Sequence, residues 1–468
     1  MKTDTIAAVA TALSESGISI IRISGEDAVL VADKIYRSPE NKKRLSDFKS
    51  HMMHYGFIYE SNADGDMLID EVMVVVMKAP KSYTAEDTVE IQCHGGVLVT
   101  NRILETVLRA GARLADPGEF TKRAFLNGRI DLAEAEAVMD VISSKNRYAL
   151  ESSVSQLKGS VSNVIKELRD EIIYEIAFIE SALDDPEHIS LDGYQEKLGE
   201  KTNIIISRFK KLLDSADNGK ILKEGINTVI VGKPNAGKSS LLNLLVGEER
   251  AIVTEIAGTT RDILQETIKL QGISLNIIDT AGIRKAEDTV EKIGVEKAKK
   301  YAADADLIIY VVDASIPLDE SDYEIMEILK GKKAVILLNK VDLNEIVTED
   351  ELRKEVEKSL ESDICMIKTS TKENTGVDVL EETVKKMFFH GELSFNDEVF
   401  LTNMRHKEAV LEAYESMLEV RKSLEDDMPE DFYSIDLMNC YACLGKIIGE
   451  EVEEDLVNEI FKKFCMGK

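Results

Sequence analysis

No stretch limits the possible folds of this chain more than Asn227 to Leu245. An apolar, β-rich run, NTVIV, passes through GKPNAGKS into SLLNLL, which has helical spacing. That order makes a strand, a glycine-rich turn and a helix, the opening of an alternating α/β unit. Gly232-Lys233-Pro234-Asn235-Ala236-Gly237-Lys238-Ser239 fits the pattern G-x-x-x-x-G-K-[ST], with the strand before it and the helix after it that such a loop requires. Its glycines let backbone N–H groups turn inward on phosphates. Lys238 is placed to reach the β- and γ-phosphates and Ser239 to offer its hydroxyl to Mg²⁺. The alternative is a glycine-rich turn with no ligand.

Three further elements follow in an order that a nucleotide site demands. Asp279-Thr280-Ala281-Gly282 closes the strand SLNII, where a D-x-x-G element would hold Mg²⁺ through water and sense the γ-phosphate. Between it and the loop lies Thr254-Glu255-Ile256-Ala257-Gly258-Thr259-Thr260, a switch segment in which Thr260 is the expected second hydroxyl on Mg²⁺. Asn339-Lys340-Val341-Asp342 follows the strand AVILL. A carboxylate there accepts from guanine N1–H and the 2-amino group, and adenine lacks that pair of donors. Ser370-Thr371-Lys372 stands as the base-closing loop, where Ser-Ala-Lys is usual. Together with Asn235 to Ser240, including Ala236, Gly237 and Ser240, these elements read as a GTP site. Many GTPases place a Gln directly after D-x-x-G to orient the attacking water. Here the position is Ile283, which offers no hydrogen bond. Either hydrolysis is very slow or another group acts. Glu291, in KAEDTVEK, is one candidate, and on spacing alone it is also a solvated helix face.

Around this site the texture of the chain changes twice. The first hundred or so residues are mixed α/β, with the β-rich runs GISIIRIS, EVMVVVMKA and TVEIQCHGG. From Leu150 to Leu183 apolar residues recur at intervals of three and four, which predicts one long amphipathic helix ending before Pro186. From Asn227, strands alternate with helices, as in a parallel, doubly wound sheet; after Phe389 helical texture returns. The expected architecture is an α/β GTPase domain over 222–389 inserted between two segments of a helical domain, 119–221 and 390–468, behind an N-terminal α/β domain over 1–118. A net charge of −29 argues against a non-specific nucleic-acid binder, which needs clustered Lys and Arg. Five scattered cysteines suit reduced thiols in a cytoplasm. The opening residues read as no signal peptide, and no apolar stretch is long enough to span a membrane.

GKPNAGKSSLLN, TEIAGTTRD, DTAGIR, the segment Pro117 to Ile142 and the tail Phe464-Cys465-Met466-Gly467-Lys468 together resemble the MnmE (TrmE) family of tRNA modification GTPases, over essentially the whole chain. The resemblance implies an N-terminal folate-binding, dimerising domain. It also implies a flavoprotein partner, MnmG (GidA), that carries FAD and uses NADH in a heterotetramer. That pair installs an aminomethyl-type group at C5 of the wobble uridine of certain tRNAs, using a methylene- or formyl-tetrahydrofolate carbon. Mapped onto this chain, Asn235 and the backbone of Thr254, Ile256 and Thr259 would hold K⁺, and Glu291 would orient the water. Arg22, Glu90, Arg129 and Lys468 would bind the folate, and Cys465 would serve tRNA modification rather than GTP hydrolysis. As bare residues, Arg22 and Glu90 read equally as surface charges and Cys465 as a packed terminal thiol. Cys440 and Cys443 form a C-x-x-C without a second ligand pair, and are read as chance rather than a zinc site. A regulatory or ribosome-assembly GTPase is the competing class. The acidic segments LEDDMPEDF and EEVEED stand where such a protein would carry a basic RNA-binding module.

Overall fold

A computed structural model describes residues 4–39, 43–62, 65–246, 266–270, 273–278, 301–303, 305–359, 364–389, 400–450, 452, 454–464 and 467. The chain forms two compact units. One comprises Met1–Met139, Gln156–Gln195 and Lys422–Lys468, and the other Asp140–Ser155 and Glu196–Arg421, so the second is inserted in the first.

In the first unit, β1 (Ile6–Val9), β2 (Ser16–Ser24), β3 (Tyr36–Arg37), β4 (Met53–Asn62), β5 (Gly65–Met77), β6 (Thr88–Gly95) and β7 (Arg113–Leu114) form a seven-stranded sheet in the order β3-β4-β5-β6-β2-β1-β7. Every pairing is antiparallel except β1 with β7. Val74 and Val76 of β5 and Val89 and Ile91 of β6 are fully buried, each pair two residues apart, as one core-facing side of a pleated strand requires. Helices α1 (Ala28–Ile35) and α2 (Val97–Arg109) bring Val31, Ile35, Ile103 and Val107 into the same core. A second core joins α3 (Glu119–Leu126) and α4 (Leu132–Ser143) to the C-terminal helix Glu454–Lys462, through Phe125, Leu132, Val457, Phe461 and Phe464.

The single long helix expected from Leu150 to Leu183 is two helices, α5 (Arg147–Leu157) and α6 (Ser160–Asp184). Gly159, at φ +87°, breaks the backbone into the left-handed region between them. The periodic stripe is buried only on α6, at Val161, Ile165, Leu168, Ile172, Ile176 and Ile179, whereas Leu150 and Leu157 of α5 are exposed. That face packs against the helix Glu430–Ile448, and α6 ends short of Pro186.

Helix α7 (Tyr194–Glu224) precedes the sheet of the second unit, in which β8 (Ile226–Val231), β9 (Glu266–Leu270), β10 (Ile273–Ile277), β11 (Leu307–Asp313), β12 (Ala334–Asn339) and β13 (Cys365–Lys368) lie in the order β13-β12-β11-β8-β10-β9. All neighbours are parallel except β9, which pairs antiparallel with β10 because only two residues separate them. Along the parallel strands apolar residues alternate between two cores. Ile309, Val335 and Leu337 meet α8 (Lys238–Val246) and the helix Val377–Phe389 on one face. Ile308, Tyr310 and Ile336 meet the helices Glu320–Ile328 and Glu349–Ser359 on the other. A sheet buried on both faces this way is doubly wound. Strand β8 lies between β10 and β11, so the chain turns to opposite sides at its C-terminal end, where such sheets bind ligands. Among the described residues no helix is long and apolar enough to cross a membrane.

Phe461 is 2% exposed between Phe125 and Phe464. Phe461→Ala is expected to destabilise the first unit by about 3 to 5 kcal/mol, read as a lower urea midpoint in far-UV circular dichroism. An unchanged midpoint would mean that the C-terminal helix does not anchor that core.

Candidate functional site

Directly after β8, Gly232 begins a loop that runs into α8 at Lys238. Asn235 holds φ +62° and Gly237 φ +106°. A Cβ at Gly237 would lie 2.1 Å from Asn339 Nδ2, so the close approach of loop and strand admits only glycine there. Lys238 Nζ donates to the carbonyl oxygens of Gly232 and Lys233, at 2.7 and 2.6 Å. Burial pulls its pKa down from the ordinary lysine range to about 8. An anion beside this ammonium therefore supplies the counter-charge that carbonyl dipoles only partly provide. Ala236 is buried, whereas Asn235, Ser239 and Ser240 face solvent around the loop and the first turn of α8.

The end of β12 ties this loop to the next one. Asn339, fully buried, donates through Nδ2 to Ala236 O at 2.8 Å and accepts at Oδ1 from Thr371 N at 3.1 Å. Lys340, at φ +66°, places Nζ 2.5 Å from Asp313 Oδ2. Burial opposes the charge on Asp313, but Lys340 and two donors of Ser315 outweigh it and hold the carboxyl below its usual range. Ser370 donates its hydroxyl to Asp342 Oδ1 at 2.7 Å, which orients that carboxylate; its own backbone is pinned to Thr375. The structure thus brings Asn235 to Ser240, Asn339, Lys340, Asp342 and Ser370 to one end of the sheet. Thr254, Glu255, Ile256, Ala257, Gly258, Thr259, Thr260, Asp279, Thr280, Ala281, Gly282 and Glu291 lie outside the described residues.

A second constellation occupies the first unit. Arg22 and Glu90 face each other across β2 and β6, and Arg22 Nε donates to Glu90 Oε1 at 2.8 Å. The Arg22 guanidinium lies 5.2 Å from the Tyr83 ring centre and 5.6 Å from that of Phe120. Arg129 lies 5.0 Å from the Tyr83 ring and donates to Tyr83 O at 2.9 Å. Tyr83 is therefore shared by two cations, with its hydroxyl 2.9 Å from Thr121 Oγ1. The tail reaches this place too: Arg22 Nη1 donates to Gly467 O at 3.1 Å, and Gly467, at φ +88°, lies so close to Val9 O that a Cβ would sit 2.3 Å from it. Cys465 and Lys468 lie outside the described residues.

Sequence reasoning missed Tyr83, Phe120 and Asp313. Asp313 left a readable signal, an acid closing the wholly apolar strand LIIYVV at the sheet's ligand-binding edge. Tyr83 left little, being one aromatic in the polar stretch KSYTAED. Cys440 is buried and Cys443 half-buried on the helix Glu430–Ile448, and among the described residues no group of three or more His, Cys, Asp or Glu could hold a metal.

Two outcomes follow from this geometry. A bound phosphate would raise the lowered Lys238 pKa, so binding takes up a proton above pH 8. GTP affinity is expected to be flat below pH 8 and to fall by up to about tenfold per pH unit above it. A flat titration to pH 9.5 would remove Lys238 from phosphate binding. Asp342→Asn is expected to lose GTP and gain xanthosine triphosphate, and GTP binding within about threefold of wild type would show that Asp342 does not read the base.

The N-terminal portion, residues 5–129, matches the model of the GTP-binding protein TrmE N-terminus, and residues 132–465 match that of the MnmE helical domain. The chain is 58% identical to the tRNA modification GTPase MnmE of Lachnoclostridium phytofermentans, over all of both chains. It is 48% identical to that of Clostridioides difficile, over 99% of each chain, and 46% identical to that of Enterococcus faecalis, over 100% of this chain and 99% of the other. With a phosphate loop, a base-side Asn-Lys-x-Asp and full-length similarity together, this chain belongs to the MnmE family of tRNA modification GTPases.

Proposed function

We propose that this protein hydrolyses GTP and couples that turnover to modification of the wobble uridine of tRNA. One observation carries the nucleotide reading: buried Asn339 joins the phosphate loop to the base-side loop, with Asp342 held beside it by Ser370. One end of that site suits a polyphosphate and the other a base that presents two adjacent donors. The tRNA substrate is supported by the names of the relatives, which match over the full length. Those names favour modification over ribosome assembly.

Within the site each residue has a task that its surroundings allow. Lys238 neutralises β- and γ-phosphate charge from a half-buried position, where attraction is screened less than in bulk water. Ser239, exposed at the start of α8, suits a hydroxyl ligand to Mg²⁺, shared with Thr260. Asn235, exposed and in the left-handed region, suits a K⁺ ligand, completed by Thr254, Ile256 and Thr259. Both ions would supply positive charge where the phosphoryl group transfers, and Glu291 would orient the water that Ile283 cannot.

The Arg22, Glu90, Arg129 and Tyr83 cluster fits a reduced folate in its chemistry. A carboxylate accepts from a pterin's donors, an aromatic ring stacks on it, and cations meet the glutamate tail. Gly467 lies beside Arg22, and Cys465 and Lys468 stand within two residues of it in the sequence. When bound, the folate would supply the one-carbon unit. We infer that the chain works as a homodimer in the cytoplasm with MnmG, which would contribute flavin and reductant.

Phosphate release from GTP and nucleoside mass spectrometry of tRNA, run on the same variants, test both halves. Wild type is expected to turn over GTP in KCl and poorly in NaCl. Cys465→Ser is expected to hydrolyse GTP within about fivefold of wild type and yet leave wobble uridines unmodified. Normal modification by Cys465→Ser would return that thiol to packing, and unchanged nucleosides in a strain lacking the protein would defeat the tRNA reading.

A further inference from the structure

Lys233 lies inside the phosphate loop, yet the roles assigned to that loop leave it unused. Its ammonium is buried, 2.6 Å from Asp322 Oδ2 and 3.0 Å from Asp319 Oδ2, at the start of the helix Glu320–Ile328. Asp322 is 1% exposed and is fixed independently of Lys233. Tyr310 of β11 donates its hydroxyl to Oδ1 at 2.7 Å, and the backbone N–H of Asp319 donates to Oδ2 at 2.9 Å. Tyr310 is itself fully buried and pairs in register with Val231, the last residue before the loop. Tyr310, which fixes Asp322, thus stands on the strand adjacent to the one that leads into the loop.

At its other end Lys233 touches the working part of the site. Its carbonyl accepts from Lys238 Nζ at 2.6 Å, and Ala236 N donates to the same oxygen at 3.3 Å. Pro234 follows directly and narrows the backbone of Lys233 to extended conformations. One residue therefore has its side chain locked to a buried acid and its carbonyl against the lysine that meets phosphate. Stability alone accounts poorly for such a pair, since apolar replacements of buried ion pairs are often as stable.

We propose that Lys233 is a positioning residue: pinned by Asp322, it fixes the backbone of the phosphate loop so that Lys238 and the loop N–H groups stand ready for the β- and γ-phosphates. The proposal rests on the reading of Gly232 to Ser239 as a GTP phosphate loop. It differs from the roles of Lys238 and Ser239 in that Lys233 touches no phosphate.

The test uses the full-length protein, a fluorescent GTP analogue with Mg²⁺, steady-state hydrolysis and thermal melting. Lys233→Met alone strands a buried carboxylate and can unfold the protein, so Lys233→Met/Asp322→Asn, which removes both charges, carries the comparison. That double variant is expected to melt within about 5 °C of wild type. It should nonetheless bind GTP at least about tenfold more weakly, with KM raised and kcat at saturation within about threefold, as lost uniform binding predicts. Lys233→Arg keeps the charge and is expected to restore affinity to within about threefold of wild type. A folded double variant that binds GTP as tightly as wild type would overturn the positioning role, as would a Lys233→Arg protein no better than the double variant. Failure of wild type itself to bind GTP would instead sink the reading of the site.

Discussion

The side-chain amide of Asn339 is the contact on which the nucleotide site depends. It is fully buried at the end of β12, so both its donor and its acceptor need partners, and a buried polar group left unpaired costs about 1 to 3 kcal/mol. The fold meets that need with Ala236 O on one side and Thr371 N on the other. Loops following three parallel strands, β8, β12 and β13, are thereby set relative to one another by one residue. The same closeness is why Gly237 must lack a Cβ.

Strand β11 carries the next tier of support. Asp313, at its end, holds Lys340 on the base side, and Tyr310, three residues earlier, holds Asp322 and through it Lys233 on the phosphate side. Neither carboxylate belongs to a recognisable nucleotide motif. Both are paired, so their charges orient Lys340 and Lys233. In the first unit the same arrangement recurs: Glu90 holds Arg22 beside the Tyr83 and Phe120 rings, with the tail carbonyl of Gly467 within reach. The phosphate-loop residues and the Arg22 cluster thus belong to different units, each with its own packed core.

Local spacing was enough for much of this. The strand, glycine loop and helix around Gly232 to Leu245, the apolar strands Ile273–Ile277 and Ala334–Asn339, and the doubly wound sheet all follow from short-range periodicity and from turn chemistry that acts within a few residues. So does the stop of α6 before Pro186. The family resemblance, carried by the phosphate loop, the Pro117 to Ile142 segment and the tail, was likewise a property of the string.

Where the sequence alone fell short, the deciding contact joined distant residues or a single backbone angle overrode a pattern. The apolar spacing of three and four ran unbroken past Gly159, but a φ of +87° there made two helices, with Leu150 and Leu157 exposed. The parallel rule missed β9, because a two-residue link to β10 admits only an antiparallel pair. Arg22 opposes Glu90 only once β2 and β6 take their register, and Tyr83 enters between two arginines only once a loop folds over them. Lys233 and Asp322 are ordinary charges in the sequence; the packing of a helix against β8 and β11 makes them a pair. Periodicity is written residue by residue, whereas register and burial belong to the assembled sheet, and only the tertiary structure fixes them.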